Sequence, residues 1–288
     1  MSLKIKGQPI TWLIYHPHQG YWNSNICKII RKVTFVPAIS KKIINRLIKF
    51  DTAMLKKRLE KKTNNINSSG YTTEKTINYF DIGTHEDANE LRWTYDEVLS
   101  KLPNPYKILT FEANPTSYQK AADHIKYIPN LKIINAALLY NIPESGTIRL
   151  FTARKGLGDS IYRKTASYVD VPARRLSDII KEEKIDLEKG INILRMNIEG
   201  AEYDVIQDLI DNDLVKYFDG FYGMWDDLSK INYEKDVEFI KMLNKNGIHP
   251  YPFNGRDIKI KPRMDLIKMS LEQSIGTPIQ ELTPEPAA

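Results

Sequence analysis

The sequence has almost no cysteine and no long apolar run. Cys27 is the single cysteine among 288 residues, so no disulfide can form within the chain and nothing points to an oxidising compartment. The opening segment, MSLKIKGQPITWLIYHPHQG, lacks an apolar core long enough for a secretory signal peptide. No window approaches the roughly 18 apolar residues that a membrane span needs. We therefore predict a cytoplasmic protein, or one on the cytosolic side of a membrane.

Metal and dinucleotide motifs are missing as well. No cluster of Cys and His has the spacing of a zinc site. The Gly-x-Gly-x-x-Gly cradle for a pyrophosphate is also absent, which disfavours a diphosphate-bearing cofactor such as NAD. The overall composition is that of an ordinary globular protein, 42% hydrophobic, and it suits one large α/β domain, or one domain plus an extension.

Positive charge is concentrated near the N-terminus. Residues 40–62 hold nine Lys and Arg against Asp51 and Glu60, a formal +7, whereas the whole chain carries +6. Apolar residues recur there at helical spacing, so this stretch is predicted to be an amphipathic basic helix. Such a helix either packs on the main domain or contacts a membrane surface, an acidic glycan or a nucleic acid. Few aromatics interleave with the lysines, which disfavours the nucleic acid.

Three segments follow from this pattern. Residues 1–75 form a basic helical extension, 76–270 form the main domain, and the Pro-rich 271–288 is predicted to be a disordered tail. In the main domain, apolar strands near 76–83, 106–112, 131–135, 191–196 and 218–224 alternate with helical patterns. A two-stranded insert is predicted around 147–171, and two late strands near 248–253 and 258–268. Alternating strands and helices indicate βαβ units and a mainly parallel sheet.

Polar residues follow four successive core strands. Asp81 and Gly83 end the first, Glu112 the second, Asn135 the third, and Asn197 with Glu199 a later one. Because ligands of open parallel sheets bind outside the carboxyl ends of the strands, we expect these residues to share a cleft.

The first two strand ends predict a nucleoside site. Gly83 lets the backbone turn tightly beside a ligand, and a carboxylate at Glu112 can accept both hydroxyls of a ribose. A nucleoside without phosphates fits this arrangement, and S-adenosylmethionine is the leading candidate.

Five motifs occur in an order that resembles a known family. DIGTHED, FEANP, NAAL, VPARRLSDII and ILRMNIEGAEYDVI, within 77–250, resemble the FkbM-type S-adenosylmethionine-dependent methyltransferases. The resemblance implies a class I methyltransferase, with a Rossmann-like seven-stranded sheet whose last strand is antiparallel. It also implies methylation of hydroxyls on sugars, glycolipids or polyketide products. The sequence departs from the family pattern at Thr84-His85-Glu86-Asp87, where a small or second Gly residue is usual, and at Asn197, where Asp is usual.

Cofactor contacts are predicted at the first three strand ends. The residues are Asp81, Gly83, Thr84, His85, Glu112, Ala113, Asn114, Asn135 and Ala136. Thr84 and His85 are expected to supply donors to the methionine carboxylate, and Asn135 and Ala136 to flank the adenine. For Asp81, Glu112 and Asn135 the alternative is a purely structural role in a turn or helix cap.

Catalytic candidates lie at the later strand ends. Asn197 and Glu199 are expected where the acceptor meets the methyl group, with Glu199 orienting the hydroxyl, acting as base, or serving only as an acid at a helix N-terminus. His85 is a further proton acceptor, and His16 and His18 are weaker ones. In GFYGMWDDLSK, Trp225 could stack on a sugar, while Asp226 and Asp227 could act as base, hold a divalent cation or begin a helix.

We therefore predict an O-methyltransferase acting on a hydroxyl of a sugar or glycan. An RNA methyltransferase is the first alternative, suggested by the basic helix. A binding protein that keeps the fold but lacks catalysis is the second, suggested by Asn197 and the unusual first loop.

Overall fold

The structure is a computed structural model that describes residues 74–153, 158–223, 225, 228–248, 251–252 and 268. The basic helix predicted for 40–62, His16 and His18, and the tail 271–288 lie outside these residues. So do Asp226, Asp227 and almost all of the late strand predicted near 258–268.

A parallel sheet forms the centre of the domain. Its strand order is β3-β2-β1-β7-β8-β9, and each neighbouring pair is parallel. The strands are β1 Ile77–Ile82, β2 Tyr106–Phe111, β3 Leu131–Ile134, β7 Ile191–Met196, β8 Phe218–Gly223 and the two-residue β9 Tyr251–Pro252. Every residue of β1 and β7 is buried, as expected for central strands covered on both faces.

Helices connect the strands and cover both faces of the sheet. They are α1 Asn89–Glu97, α2 Pro115–Ile125, α3 Leu176–Glu182, α4 Glu202–Asp211, α5 Leu228–Ile231 and α6 Tyr233–Lys245, with 3-10 turns at Leu99–Lys101 and Val215–Tyr217. One apolar cluster packs Phe80, Leu194 and Val205, and a second packs Ile77, Leu91 and Ile193. The core therefore lies on both faces of β1 and β7. Because these are the two central strands of the sheet, their carboxyl ends lie in the middle of one edge.

A smaller sheet stands beside this edge. Its order is β4-β6-β5, with β4 Ala137–Leu138, β5 Thr147–Phe151 and β6 Tyr168–Arg174. β5 and β6 pair antiparallel, as predicted for the insert, and β4 adds a short parallel partner. A bridge between Phe151 and Ser160 extends the pairing toward the edge of the main sheet.

The predicted α/β class with a Rossmann-like, mostly parallel sheet is confirmed. The antiparallel last strand implied by the family resemblance would follow β9, on residues outside the described part of the chain. None of the helices in the described part of the chain combines the length and the apolar character that a membrane span requires.

Candidate functional site

A cleft opens at the carboxyl edge of the main sheet, between that edge and the small sheet. Gly83, Glu112 and Asn197, which follow β1, β2 and β7, all line it. It encloses about 850 Å³, counted out to its solvent-facing mouth. The structure thus brings together three of the strand ends that the sequence singled out, as parallel strands must.

Gly83 lets the β1 and β7 ends meet. Its φ is 83°, in the left-handed region, and its amide donates to the Phe111 carbonyl oxygen at 2.9 Å. A Cβ on this residue would lie 2.1 Å from the carbonyl oxygen of Asn197. Only glycine fits this position without moving one strand end away from the other.

Glu112 presents its carboxylate to the cleft and is held by two backbone donors. Oε2 accepts from the His85 amide and Oε1 from the Asn114 amide, each at 2.9 Å. Burial raises the pKa of Glu112 above the ordinary value of 4.5, the two backbone hydrogen bonds oppose the shift, and Asp159 and Asp81 add to it. Each oxygen keeps lone-pair capacity for another donor, so the group can still bind a diol.

His85 also faces the cleft, from the loop after β1. Its φ is 64°, and its Nδ1 accepts from the Asp87 amide at 3.5 Å and lies 3.8 Å from Oδ2 of Asp87. Nε2 is buried and has no hydrogen-bond partner among the described residues. Such a group is available to a ligand in the cleft.

Asn114 and Asn135 hold the β2 end in place instead of lining the cleft. Asn114 caps α2, its Oδ1 accepting from the amides of Thr116 and Ser117 at 2.9 and 3.3 Å. Asn135 donates from Nδ2 to the carbonyl oxygens of Glu112 and Ala113 at 2.8 and 3.0 Å. Ala113 and Ala136 do line the cleft.

Asp81 and Thr84 are buried behind the cleft and do not line it. Asp81 Oδ1 accepts from Nη1 of Arg195 at 3.0 Å, and its Oδ2 accepts from the hydroxyls of Thr84 and Thr110. Arg195 also donates to Glu90 Oε2 at 2.6 Å and to the Gly83 carbonyl oxygen at 2.8 Å. This buried network fixes the position of the loop after β1. Asp81 and Thr84 therefore influence a ligand only by positioning that loop.

The loop after β7 carries Asn197 and Glu199 into the cleft. Glu202 accepts from the amides of Ile198 and Gly200, both at 2.9 Å, so it shapes the loop, in keeping with its position at the first turn of α4. Glu199 has a φ of 52°, and its Oε2 lies 3.5 Å from Nη2 of Arg163. The Oδ1 of Asn197 is buried without a hydrogen-bond partner in the described structure.

Trp225 lies away from the cleft, contrary to its predicted contact with substrate. Its side chain is 1% exposed, stacked 5.9 Å from the ring of Phe239 and edge-on to Phe221 at 6.3 Å. Turning the indole into the core buries more apolar area than leaving it at the rim, so a sugar has no ring face to stack on. Among the described residues, no group of three or more His, Cys, Asp or Glu could hold a metal ion.

The small sheet contributes residues that the sequence reasoning missed. Asp159 and Ser160 line the cleft, and the Ser160 hydroxyl donates to the carbonyl oxygen of Glu199 at 2.9 Å. Arg163, three residues further on, supplies the partner of Glu199. The available signal was the polar Gly158-Asp159-Ser160 run between the two predicted insert strands.

One comparison with known proteins found a match. The family model described as Methyltransferase FkbM domain matches residues 81–219. The matched region begins at the end of β1 and ends in β8, and it includes the small sheet and α4. No curated protein and no solved structure matches the chain.

Proposed function

We propose that this chain, whose residues 81–219 match the methyltransferase FkbM domain, is an S-adenosylmethionine-dependent O-methyltransferase whose acceptor is a hydroxyl of a sugar or glycan. The observation that carries the proposal is the Glu112 carboxylate, held by two backbone amides inside a cleft that Gly83 and Asn197 also line. The other parts of the proposal follow from what surrounds that group.

The cleft residues fit the nucleoside of the methyl donor. Glu112 keeps one acceptor position on each oxygen, which matches the two hydroxyls of a ribose. Ala113 and Ala136 offer small apolar contacts in the same cleft. Gly83 has no side chain, so the loop after β1 packs closely against the β7 end. When bound, this cofactor supplies a methyl group carried on a sulfonium.

Asn197 and His85 supply polar groups for a hydroxyl acceptor in the same cleft. A hydroxyl carries a single proton, which can first hydrogen-bond to Oδ1 of Asn197 while the acceptor is positioned and then, when the oxygen is methylated, pass to Nε2 of His85. That step needs the tautomer whose proton is on Nδ1, which then points to the Asp87 carboxylate 3.8 Å away in place of accepting from the Asp87 amide. Glu199 is turned toward Arg163, so in this proposal it positions the acceptor and is not the base.

Titration calorimetry with S-adenosylmethionine tests the donor site. We expect binding to the intact chain, and we expect Glu112→Ala to weaken it more than about tenfold, because two charge-assisted hydrogen bonds are lost. Glu97→Ala, which removes an exposed carboxylate paired with Lys101, is the matched control and should leave the Kd unchanged. No binding at millimolar cofactor, or equal affinity of both variants, would refute the nucleoside site.

Cofactor affinity should also depend on pH in a defined direction. A ribose diol needs the ionised form of Glu112, whose pKa burial raises above 4.5. Affinity should therefore begin to fall at a pH above 4.5 and continue to fall as acidity increases through the raised pKa. Glu112→Gln should bind more weakly and lose this part of the pH dependence, with circular dichroism confirming the fold at each pH. An identical pH profile in both proteins contradicts the assignment.

The acceptor class is tested separately by turnover. Free, nucleotide-linked and polymeric saccharides are incubated with chain and cofactor, and methylated products are identified by mass spectrometry. Transfer to a saccharide oxygen supports the proposal. Transfer to RNA, or bound cofactor with no turnover on any saccharide, contradicts the acceptor while leaving the donor site intact.

A further inference from the structure

Arg163 approaches the cleft from the connection between β5 and β6. Its Nη2 lies 3.5 Å from Oε2 of Glu199, which lines the cleft together with Asn197. A Cβ on Gly158, another lining residue, would lie 3.2 Å from Nη1 of Arg163. The guanidinium therefore lies against the cleft wall near the β7 end, where the acceptor binds in the proposed function.

The hydroxyl of Ser160 fixes the backbone of Arg163. That oxygen accepts from the amides of Tyr162 and Arg163 at 3.1 and 3.2 Å, and it donates to the carbonyl oxygen of Glu199 at 2.9 Å. Ser160 is buried, so these hydrogen bonds are shielded from water. Arg163 and Glu199 thus extend from two backbone segments that one buried side chain joins directly, and little backbone freedom is lost when a ligand binds.

Arg163 can engage a second anion besides Glu199. A guanidinium has five N–H donors in a planar fork, and one carboxylate engages two of them at most. The side chain of Arg163 is 37% exposed and that of Glu199 15%, so the cation is the more accessible member of the ion pair. Because Arg163 balances the charge of Glu199, an arriving anion meets a neutral pair and not a bare carboxylate.

The connection that carries Arg163 is rich in positive charge. Residues 152–167, between β5 and β6, contain four Lys and Arg and a single acid, a formal +3 of the whole chain's +6. The cations are Arg154, Lys155, Arg163 and Lys164, and the acid is Asp159. Positive charge in a short connection whose described residues line a cleft favours a negatively charged ligand.

We propose that Arg163 binds an anionic group of the acceptor, the phosphate or the carboxylate of a charged saccharide, and so selects charged saccharides over neutral ones. The inference rests on the proposed function and names the class of saccharide that this site takes. Phosphate and carboxylate both present a pair of oxygens to the planar fork of a guanidinium, so Arg163 can bind either of them by a two-point contact.

The test uses a set of hexoses, each supplied as the neutral sugar, the glycosyl phosphate and the uronic acid. With saturating S-adenosylmethionine, kcat/KM for methyl transfer should be about tenfold or more higher for a charged form than for the neutral form of the same sugar, because an ion pair is added. Arg163→Gln should reduce this preference to within about threefold, chiefly through a higher KM for the charged form. The charged form that is methylated faster identifies phosphate or carboxylate as the bound group.

Arg149→Gln is the matched control. Arg149 precedes Leu150 in β5, so it points to the face of the strand opposite to the one that lines the cleft. Like Arg163 it pairs with an acid, Asp170, at 3.9 Å, and its loss should leave the preference for charged saccharides unchanged. Inorganic phosphate gives a measurement that needs no variant, because it should raise the KM of charged acceptors without changing their kcat and should leave neutral acceptors unaffected.

The possible outcomes separate this inference from the proposed function. Equal kcat/KM for charged and neutral forms, an unchanged preference in Arg163→Gln, or no competition by inorganic phosphate overturns the role of Arg163 and leaves the O-methyltransferase assignment intact. Methyl transfer to no saccharide of any form overturns the acceptor class and this inference with it. Calorimetry should show that Arg163→Gln binds S-adenosylmethionine with wild-type affinity, which verifies that the variant keeps its fold and its donor site.

Discussion

Gly83→Ala should destabilise the domain by about 3 kcal/mol and weaken S-adenosylmethionine binding more than about tenfold. The added Cβ would lie 2.1 Å from the Asn197 carbonyl oxygen, which belongs to the backbone and cannot turn aside. The φ of 83° adds the cost of a left-handed alanine. The strand ends would have to separate, moving the His85 amide away from Glu112. Urea unfolding and calorimetry measure the two effects.

Gly146→Ala is the matched control for this substitution. Gly146 also has a left-handed φ, 69°, but a Cβ there would meet nothing within 4 Å. The Gly146→Ala variant should lose only the free energy that a left-handed alanine costs, about 1–2 kcal/mol, and its cofactor affinity should be unchanged. If the two variants lose the same free energy of unfolding, the close approach of Gly83 to Asn197 does not contribute to the loss.

Arg195→Leu should cost about 3–5 kcal/mol of unfolding free energy, the largest stability effect that we expect from a side-chain charge. Arg195 is 4% exposed and pairs with Asp81 at 3.0 Å and Glu90 at 2.6 Å. Its removal leaves two carboxylates in the interior without their counter-charge. Denaturant unfolding of the purified variant gives the loss directly.

Two comparisons isolate the cause of that loss. Arg174→Leu removes a cation from an exposed pair with Glu182 and should change stability by less than about 1 kcal/mol. Adding Asp81→Asn and Glu90→Gln to Arg195→Leu should recover a large part of the stability, because neutral amides tolerate burial better than unpaired carboxylates. A triple variant as unstable as Arg195→Leu alone would show that packing, and not charge, is what Arg195 provides.

The sequence predicted the sheet well because its strands are short apolar runs that end in polar residues. The ends of β1, β2 and β7 fall at Gly83, Glu112 and Asn197, and parallel strands must bring such ends to one edge. Pattern alone could not say which polar residue near each end faces the cleft. Asp81 lies within β1 opposite Arg195 in the register with β7, a pairing that joins positions 114 residues apart.

Contacts between residues far apart in the sequence explain the remaining differences between the sequence predictions and the structure. Trp225 follows β8 and so was expected at the rim, but Phe239 of α6 and Phe221 of β8 draw it into the core. Asp159 enters the cleft because Ser160 reaches the Glu199 carbonyl oxygen, 39 residues further along the chain. Periodicity within one segment carries no information about such contacts.

The left-handed backbone conformations of His85 and Glu199 lower the stability of the domain. Each adopts a φ that favours glycine, 64° and 52°, while its side chain faces the cleft. Glycine at either position would relax the chain, so selection for heat resistance alone would favour discarding these two side chains. Selection of more heat-resistant variants should therefore measure turnover together with melting temperature, because substitutions that raise the melting temperature at these two positions would remove side chains from the cleft.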